Sequence, residues 1–421
     1  MAKIYPFSAI RPKKGLEDRI AALPYDVYIR KEAKDEVLRE PMSFLKIDRA
    51  ETQFEQPIDL YDEKVYQKAH DTLWEMVAQG DFIKEDQDCY YIYELIMNGR
   101  SQSGIVAKSG VDDYLSGVIK KHENTREEKE LDRIRHVDVC DAQTGPIFLA
   151  YRSRQAINDL VERVKSGEPL YSFTSPDAVT HKVWKVDADA DILCLKEQFA
   201  AVEDIYIADG HHRCASAVKV SMKRRGENPD YTGEEEYNYF LSVLFPDDQL
   251  MIMDYNRVVK DLNGYTQESL IDALKESFSV EDIEADTADE EERREMLRPK
   301  KKGEIAMYLG GKWYRLTAAE AIKSTDPVDG LDVALLQKHV LCPLLGIEDP
   351  KTDKRIDFVG GIRGLKELER RVQEDCAVAF AMYPTSIGEL FAVADNGQLM
   401  PPKSTWFEPK LRSGLFIHSL T

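Results

Sequence analysis

Five consecutive residues near the middle of the chain place ionisable side chains around one glycine: Asp209, Gly210, His211, His212 and Arg213. The apolar, β-branched and aromatic residues at 205–208 predict a short buried strand before them. Apolar residues at helical spacing follow, and they predict a helix that runs toward Arg225 and ends at Gly226. The five residues therefore occupy a sharp turn from a strand into a helix.

A turn of this composition is suited to binding an anion. Gly210 can adopt a positive φ, which lets a ligand approach the backbone closely. The first turn of the helix has unpaired N–H groups and a partial positive charge, and Arg213 adds a donor fork. The usual anion at such a helix terminus is a phosphate. A purely structural turn is the alternative, although three ionisable side chains crowded at one turn favour a functional site.

The motif at Asp209–Arg213 resembles the signature turn of the ParB/sulfiredoxin fold, most closely the version in the archaeal free serine kinases. Larger uncharacterised bacterial proteins share the Ala-Asp-Gly-His-His-Arg motif and a Pro-Tyr-Asp-Val sequence, which stands here at residues 24–27. The resemblance implies that Asp209 helps to organise the reacting phosphate through Mg²⁺, since a carboxylate beside phosphates needs a cation between them. It also implies that four residues hold nucleotide phosphates: Gly210, His211, His212 and Arg213.

A second candidate lies in the charged segment 120–133. Residues 121–123 (Lys-His-Glu) precede a predicted helix and lie outside its apolar pattern, whereas Glu127–Lys129 fit a solvated helix face with ion pairs. The archaeal serine kinases carry a similar His-Glu, followed shortly by Glu-Leu as in this chain. The resemblance implies that Glu123 is the general base that takes the proton from a substrate hydroxyl as it attacks phosphorus.

A third candidate is a loop near the carboxyl end that combines one basic side chain with two hydroxyls: Lys403, Ser404 and Thr405. Such a loop could clamp a phosphate, with the lysine as a point charge, or it could be an ordinary surface loop. The archaeal serine kinases end in a similar Pro-Lys-Thr-Thr segment, and the resemblance implies nucleotide binding here. Trp406 stands where those enzymes have a basic residue, which removes one anion contact.

The composition of the 421-residue chain limits the class of protein. Its net charge of −20 argues against a sequence-independent grip on nucleic acid, which requires a basic face. No apolar run approaches the roughly 18 residues of a membrane span, and the amino terminus lacks the apolar core of a signal peptide.

The six cysteines show no metal-like spacing and predict reduced thiols in a cytoplasmic protein. We interpret Cys214 as a buried packing residue at the helix start.

Strand and helix patterns alternate along the chain, which predicts an α/β (mixed α+β) fold. The resemblance implies a ParB/sulfiredoxin-like nucleotide-binding core at residues 113–245, with an N-terminal α+β extension at 1–112 and a C-terminal α/β serine-kinase-like domain at 246–421. The extension has no counterpart in the archaeal kinases. Within it, Tyr25 and Asp26 either line a substrate pocket or form a structural turn.

These features together predict a nucleotide-dependent kinase that phosphorylates the hydroxyl of a small amino acid. We expect free L-serine as the acceptor, ATP or ADP as the donor and Mg²⁺ as a cofactor, with no membrane or nucleic-acid partner. One alternative is a ParB-like nucleotide-binding regulatory or DNA-associated protein, although no helix-turn-helix with a basic face is evident. A sulfiredoxin-like reductase would need a cysteine where His211 stands. In a further alternative, the protein keeps nucleotide binding, but its amino-terminal third changes the substrate, so that a larger molecule is phosphorylated.

Overall fold

A computed structural model describes residues 1–125 and 127–421, and helices and strands alternate through them, which confirms the predicted α/β class. The chain divides into two compact units, one of residues 1–250 with 409–421 and one of residues 251–408. The first unit holds both the amino-terminal third and the Asp209–Arg213 turn. The boundaries predicted after residues 112 and 245, and the likeness of the core to the ParB/sulfiredoxin fold, stay predictions.

The strands of the first unit, up to residue 250, are β1 (Ile4–Tyr5), β2 (Ile10–Pro12), β3 (Phe82–Lys84), β4 (Tyr90–Met97), β5 (Arg100–Gly110), β6 (Ile119–Lys120), β7 (Ala142–Gln143), β8 (Ile147–Tyr151), β9 (Tyr171–Thr174), β10 (Thr180–Val186), β11 (Ile205–Asp209) and β12 (Tyr239–Pro246). Its helices are α1 (Glu17–Ile20), α2 (Arg30–Arg39), α3 (Leu45–Asp48), α4 (Glu63–Gln79), α5 (Val111–Leu115), α6 (Glu127–Cys140), α7 (Gln155–Lys165), α8 (Asp189–Ala200) and α9 (His211–Glu227).

Nine of these strands form one mixed sheet in the order β6-β11-β8-β12-β5-β4-β10-β9, with β1 beside β5. The pairs β6 with β11 and β8 with β12 are parallel, and the other pairs in this sheet are antiparallel. Because β6 and β11 run in the same direction, the segments that leave them after Lys120 and Asp209 begin at the same edge of the sheet.

Helix α9 packs against this sheet through residues at helical spacing. Cys214, Ala217 and Val218 are buried in one cluster with Ile207 of β11, so α9 turns an apolar stripe toward the core. The buried position of Cys214 agrees with its interpretation as a packing residue. The helix continues one residue past Gly226, where we predicted its end, because a glycine inside a helix costs only about 1 kcal/mol relative to alanine.

The second unit contains strands β13 (Ile252–Met253), β14 (Tyr255–Val259), β15 (Phe278–Ile283), β16 (Glu304–Leu309), β17 (Lys312–Ala318), β18 (Ile356–Gly360), β19 (Val378–Met382) and β20 (Trp406–Phe407). Its helices are α10 (Gln267–Leu274), α11 (Glu290–Leu297), α12 (Asp332–Leu336), α13 (Leu365–Glu374) and α14 (Ile387–Asp395). Six of the strands form an antiparallel sheet in the order β15-β17-β16-β19-β14-β18.

The last thirteen residues, 409–421, return to the first unit. Their strand β21 (His418–Ser419) pairs with β7, and Ile417 and Ser413 form isolated bridges with Ile10 and Ala22. Both ends of the chain therefore help to build the unit that contains the turn.

Candidate active site

The structure confirms the predicted strand, turn and helix around Gly210. Strand β11 ends at Asp209, Gly210 has φ 91° and ψ 31°, and α9 begins at His211. This left-handed conformation favours glycine. A Cβ atom at this position would lie 3.1 to 3.3 Å from guanidinium atoms of Arg213, so the arginine folds back over the glycine.

The carboxylate of Asp209 lies between two cations. Its Oδ2 is 3.6 Å from Nη2 of Arg213 and 3.8 Å from Nζ of Lys410. Burial alone would raise the pKa of Asp209, but Lys410 and Arg213 outweigh it and lower the pKa to about 2. The carboxylate is therefore ionised throughout the physiological pH range while remaining half-exposed.

One nitrogen of the Arg213 guanidinium forms a structural hydrogen bond to the backbone. Its Nη1 donates a hydrogen bond of 2.6 Å to the carbonyl oxygen of Pro146, and a Cβ atom on Gly145 would lie 3.5 Å from the same nitrogen. This contact ties the start of α9 to the segment that enters β8. The sequence predicted that the Arg213 guanidinium offers two adjacent hydrogen-bond donors at this turn. In the structure, Nη1 is used by Pro146 and Nη2 lies beside the carboxylate of Asp209.

Two buried histidines meet where β6 and β11 end. The rings of His122 and His211 lie edge to face with centroids 4.4 Å apart, and the backbone N–H of His122 donates to Nε2 of His211 at 3.4 Å. Burial lowers the pKa of His122 to about 4, and burial and the neighbouring His122 lower that of His211 well below its usual value. Both rings are thus neutral at pH 7, and the assigned hydrogen bond leaves the proton of His211 on Nδ1.

Glu123 and His212 are both half-buried and lie near this pair in sequence. Glu123 follows His122 in the segment that leaves β6, so it begins at the same sheet edge as the turn. The backbone carbonyl of His212, in the first turn of α9, accepts a hydrogen bond of 2.7 Å from Ser216. The structure therefore brings the two sequence-predicted motifs to one sheet edge, and the roles of their side chains stay predictions.

Lys410 is a site residue that sequence reasoning missed. It lies in the closing segment, its side chain is 13% exposed, and it contributes to the low pKa of Asp209. The residues around it (Pro409, Leu411 and Arg412) contain no local signal that indicates its partner.

A buried arginine two residues later anchors this closing segment. Nη2 of Arg412 contacts both carboxylate oxygens of Asp177 at 2.5 Å and donates to Ser175 at 2.9 Å, while its Nε donates to Nε2 of His181 at 3.3 Å. Its side chain is only 5% exposed, and burial together with this arginine lowers the pKa of His181 to about 3. This network fixes the backbone that presents Lys410.

The third predicted motif belongs to the second unit. Lys403 has a φ of 60°, unusual for a residue with a side chain, and its carbonyl accepts a hydrogen bond of 3.0 Å from Nη2 of Arg257. Ser404 donates to the carbonyl of Pro401 at 2.6 Å, and Thr405 leads into β20. The loop is thus well defined, and phosphate binding by these residues stays a prediction.

Other sequence-based expectations concern metals, thiols and membranes. Within residues 1–125 and 127–421, no group of three or more His, Cys, Asp or Glu residues could hold a metal ion. All six cysteines are free. In the same described residues, no helix combines the length and apolar character that crossing a membrane requires.

One family profile, described as "Protein of unknown function (DUF1015)", matches residues 4–334. The chain therefore belongs to the DUF1015 family. A search of curated proteins finds no match.

Three solved structures illustrate what the chain is similar to. A free serine kinase in complex with AMP has 14% identity over 74% of this chain and 91% of that chain, with a TM-score of 0.33. A mutant free serine kinase in complex with ADP has 14% identity over 76% and 95%, with a TM-score of 0.35. SbnI with a C-terminal truncation, from Staphylococcus aureus, has 12% identity over 74% and 86%, with a TM-score of 0.38. Because these scores lie below 0.5, we infer nothing about the activity of this chain from them.

Proposed function

We propose that this protein is a nucleotide-dependent phosphotransferase that phosphorylates the hydroxyl of a small amino acid, with free L-serine as the acceptor. The observation that carries the proposal is the ionised carboxylate of Asp209, held between Arg213 and Lys410 at the start of α9. Charge of both signs at a helix N-terminus suits a phosphate that is about to be transferred.

In this proposal, the nucleotide phosphates bind at the turn. The backbone N–H groups that begin α9, together with Gly210 in its left-handed conformation, supply donors and room for a close approach. His211, His212 and Arg213 form the first turn of α9 and are proposed as further contacts, and Lys410 adds a point charge. The loop of Lys403, Ser404 and Thr405 is proposed as a further phosphate contact on the strength of its sequence motif.

The donor set at the turn also fits Mg²⁺. This ion is usually held by one or two carboxylates together with phosphate oxygens, and Asp209 would supply such a carboxylate. When bound, the ion would neutralise charge that develops on the transferring phosphate. The proposal therefore needs no dedicated cluster of protein ligands.

Glu123 is the proposed general base. The acceptor oxygen attacks the terminal phosphorus of ATP or ADP, the bond from phosphorus to the leaving nucleotide breaks, and Glu123 takes the hydroxyl proton. The products are a phosphate monoester and a nucleotide with one phosphate fewer. Phosphoryl transfer depends mainly on positioning and charge. The sheet edge shared by the Glu123 segment and the turn supports the proposal, because both segments begin there.

Phosphorus NMR tests the reaction directly. Purified protein is incubated with Mg²⁺, free L-serine and either ATP or ADP in parallel. We expect a new phosphomonoester signal that depends on serine, which also identifies the donor. Nucleotide binding without an ester would favour the regulatory, ParB-like alternative, and the absence of nucleotide binding would overturn the proposal for the turn.

Glu123→Gln tests the base. This variant should lose roughly 10²- to 10⁴-fold in transfer rate while still binding nucleotide, because the amide keeps the shape but cannot accept the proton. Glu127→Gln is the matched control, since Glu127 is exposed at the start of α6. A Glu123→Gln enzyme with the full rate would remove this residue from the mechanism.

A further inference from the structure

Charged side chains line two adjoining cavities beside the candidate active site. Four residues line both cavities: Tyr25, Asp48, Arg133 and His136. The smaller cavity, of about 30 Å³, is also lined by Arg213. The larger, of about 250 Å³, lies below the roughly 300–1,000 Å³ of drug-sized ligand sites and so suits a small metabolite.

Arg133, in α6, is a buried positive charge that lines both cavities. It is 7% exposed, and its guanidinium carbon lies 4.0 Å from the centre of the Tyr25 ring. Its Nε and Nη2 lie 2.9 and 2.8 Å from Oδ2 of Asp132, whose Oδ1 accepts from Tyr66. Within the described chain, Nη1 of Arg133 makes no hydrogen bond. One edge of the guanidinium is thus held in place, and one nitrogen is available.

Asp48, the last residue of α3, is a buried carboxylate that lines both cavities. It is 6% exposed, and its Oδ1 accepts a hydrogen bond of 2.9 Å from Thr144. Among residues 1–125 and 127–421, no base forms an ion pair with it and its Oδ2 has no donor. The neighbouring Arg49 and Glu51 neutralise each other, with Nε and Oε1 2.7 Å apart. Arg133 is close enough for the charge of Asp48 to help raise the pKa of the arginine, but within the described residues no hydrogen bond joins the two. Burying a carboxylate costs free energy unless it is paired and hydrogen-bonded, so a cationic ligand group at Asp48 would lower that cost.

We infer that Arg133 and Asp48 form an acceptor subsite for a small zwitterion of the α-amino acid class. The carboxylate of the ligand binds Nη1 of Arg133, its ammonium group binds Oδ2 of Asp48, and the Tyr25 ring forms part of the wall. This inference rests on the proposed kinase function and names the residues that select its acceptor. Arg213, which lines the smaller cavity, joins this subsite to the phosphate turn.

The same inference assigns a role to the amino-terminal third. Tyr25 and Asp48 both come from it, and Tyr25 with Asp26 lines the larger cavity, in line with the pocket interpretation of the Pro-Tyr-Asp turn. A polar cavity of this size, with one guanidinium nitrogen and one carboxylate oxygen that make no hydrogen bond within the described residues, favours a free amino acid over a larger acceptor.

The test measures acceptor binding and turnover separately. Equilibrium dialysis with radiolabelled L-serine gives Kd, and the phosphorus NMR assay gives KM and kcat. The variants are Asp48→Asn, which keeps shape and the bond from Thr144, and Arg133→Met. Arg135→Met is the matched control, because Arg135 is exposed on the same helix. Thermal unfolding by circular dichroism identifies any variant that fails to fold.

We expect Asp48→Asn and Arg133→Met each to raise the Kd and KM for L-serine by roughly 30-fold or more, because each removes one partner of a buried charged interaction. Their affinity for nucleotide should not change. In Arg135→Met, the Kd and KM for L-serine should stay at the wild-type values. A substrate series adds a second readout that misfolding cannot mimic. Wild-type protein should prefer L-serine over glycerate, which lacks the ammonium group, and over L-serine methyl ester, which lacks the carboxylate. Asp48→Asn should selectively reduce the preference over glycerate.

The possible results separate this inference from the proposed function. If the wild type transfers phosphate but both variants keep the wild-type KM and preferences, the subsite is wrong and the kinase stands. If no transfer occurs but L-serine binds and the variants lose that binding, the kinase is wrong and the subsite stands. If neither L-serine binding nor transfer is found, the subsite is overturned together with the proposed function.

Discussion

Two carboxyl groups, one in each unit, differ in the direction of their pKa shifts. Asp209 is half-exposed beside Arg213 and Lys410, and its pKa falls to about 2. Asp332 is buried, and its pKa rises to about 7 because burial and the nearby Glu389 outweigh the hydrogen bonds of 2.9 and 3.1 Å from the backbone N–H of Gly303.

This difference shows that a shifted pKa identifies a functional group only together with its neighbours. The carboxylate of Asp209 keeps its charge at the start of a long helix and among cations, which is where a phosphate would bind. Asp332 caps a backbone N–H group inside the core of its unit, and its surroundings favour the neutral acid. The shift at Asp332 is a consequence of packing.

The largest expected effect is a difference in phosphoryl-transfer rate between variants of Asp209 and Asp332. Asp209→Asn should lower the rate of the proposed phosphoryl transfer by roughly 10²- to 10³-fold, because it removes the charge that we propose organises the reacting phosphate. Asp332→Asn should leave that rate within about twofold, and the phosphorus NMR assay measures both. Equal losses in the two variants would contradict the functional difference between Asp209 and Asp332.

The two units should respond to pH in opposite directions. In the first unit, burial lowers the pKa of His122 to about 4 and those of His181 and His418 to about 3. These groups bind protons near pH 6.5 when unfolded, so the unit is most stable above that pH and loses stability as the pH falls toward 4. In the second unit, the raised pKa of Asp332 destabilises the fold as the pH rises through about 7.

Differential scanning calorimetry of the whole protein at pH 8 and pH 5 tests whether the stabilities of the two units depend on pH in opposite directions. Each shifted group contributes up to about 3 kcal/mol, so the transition of the first unit should move down at pH 5 and that of the second should move up. The lowered pKa of His339 opposes Asp332, but this residue is half-exposed and its effect should be smaller. Asp332→Asn should remove most of the pH dependence of the second unit, and transitions that shift together would contradict the prediction.

Two lysines allow a comparison of the predicted phosphate contacts. Lys410→Gln should weaken nucleotide binding roughly 10- to 100-fold, as for loss of a charged hydrogen bond, because Lys410 lies beside Asp209. Lys403→Gln, in the loop of the second unit, should also weaken binding if that loop contacts phosphate. Isothermal titration with ATP and ADP measures both. Unchanged affinity in Lys410→Gln would remove this lysine from the nucleotide site.

The smallest expected effect comes from two glycines at the ends of α9. Gly210→Ala should destabilise the first unit by about 1–2 kcal/mol and weaken nucleotide binding, because its positive φ is strained for alanine and the new Cβ crowds Arg213. Gly226→Ala is the control: nothing lies within 4 Å of its Cβ position, and alanine in the helix should stabilise by about 0.5–1 kcal/mol. Chemical denaturation measures both, and equal effects would show that the turn conformation is unimportant.

The sequence predicted well those features that depend on neighbouring residues. The strand, the glycine turn and the start of α9 are encoded within a few consecutive residues, and the α/β class follows from alternating local patterns. The helix α9 continues to Glu227, past the glycine at which we predicted its end, because a single glycine disfavours a helix only weakly. The resemblance, and not the local pattern, singled out Glu123.

The sequence by itself determined the chemistry of the turn, because residue types and local backbone preferences are properties of short segments. Only the tertiary structure decided that Lys410 reaches Asp209 from the closing segment and that Asp48 and Arg133 line one cavity. The parallel pairing of β6 with β11 brought Glu123 to the edge where the turn begins. These contacts join segments distant in sequence, and sheet pairing and core packing select them through buried surface, which no local pattern specifies.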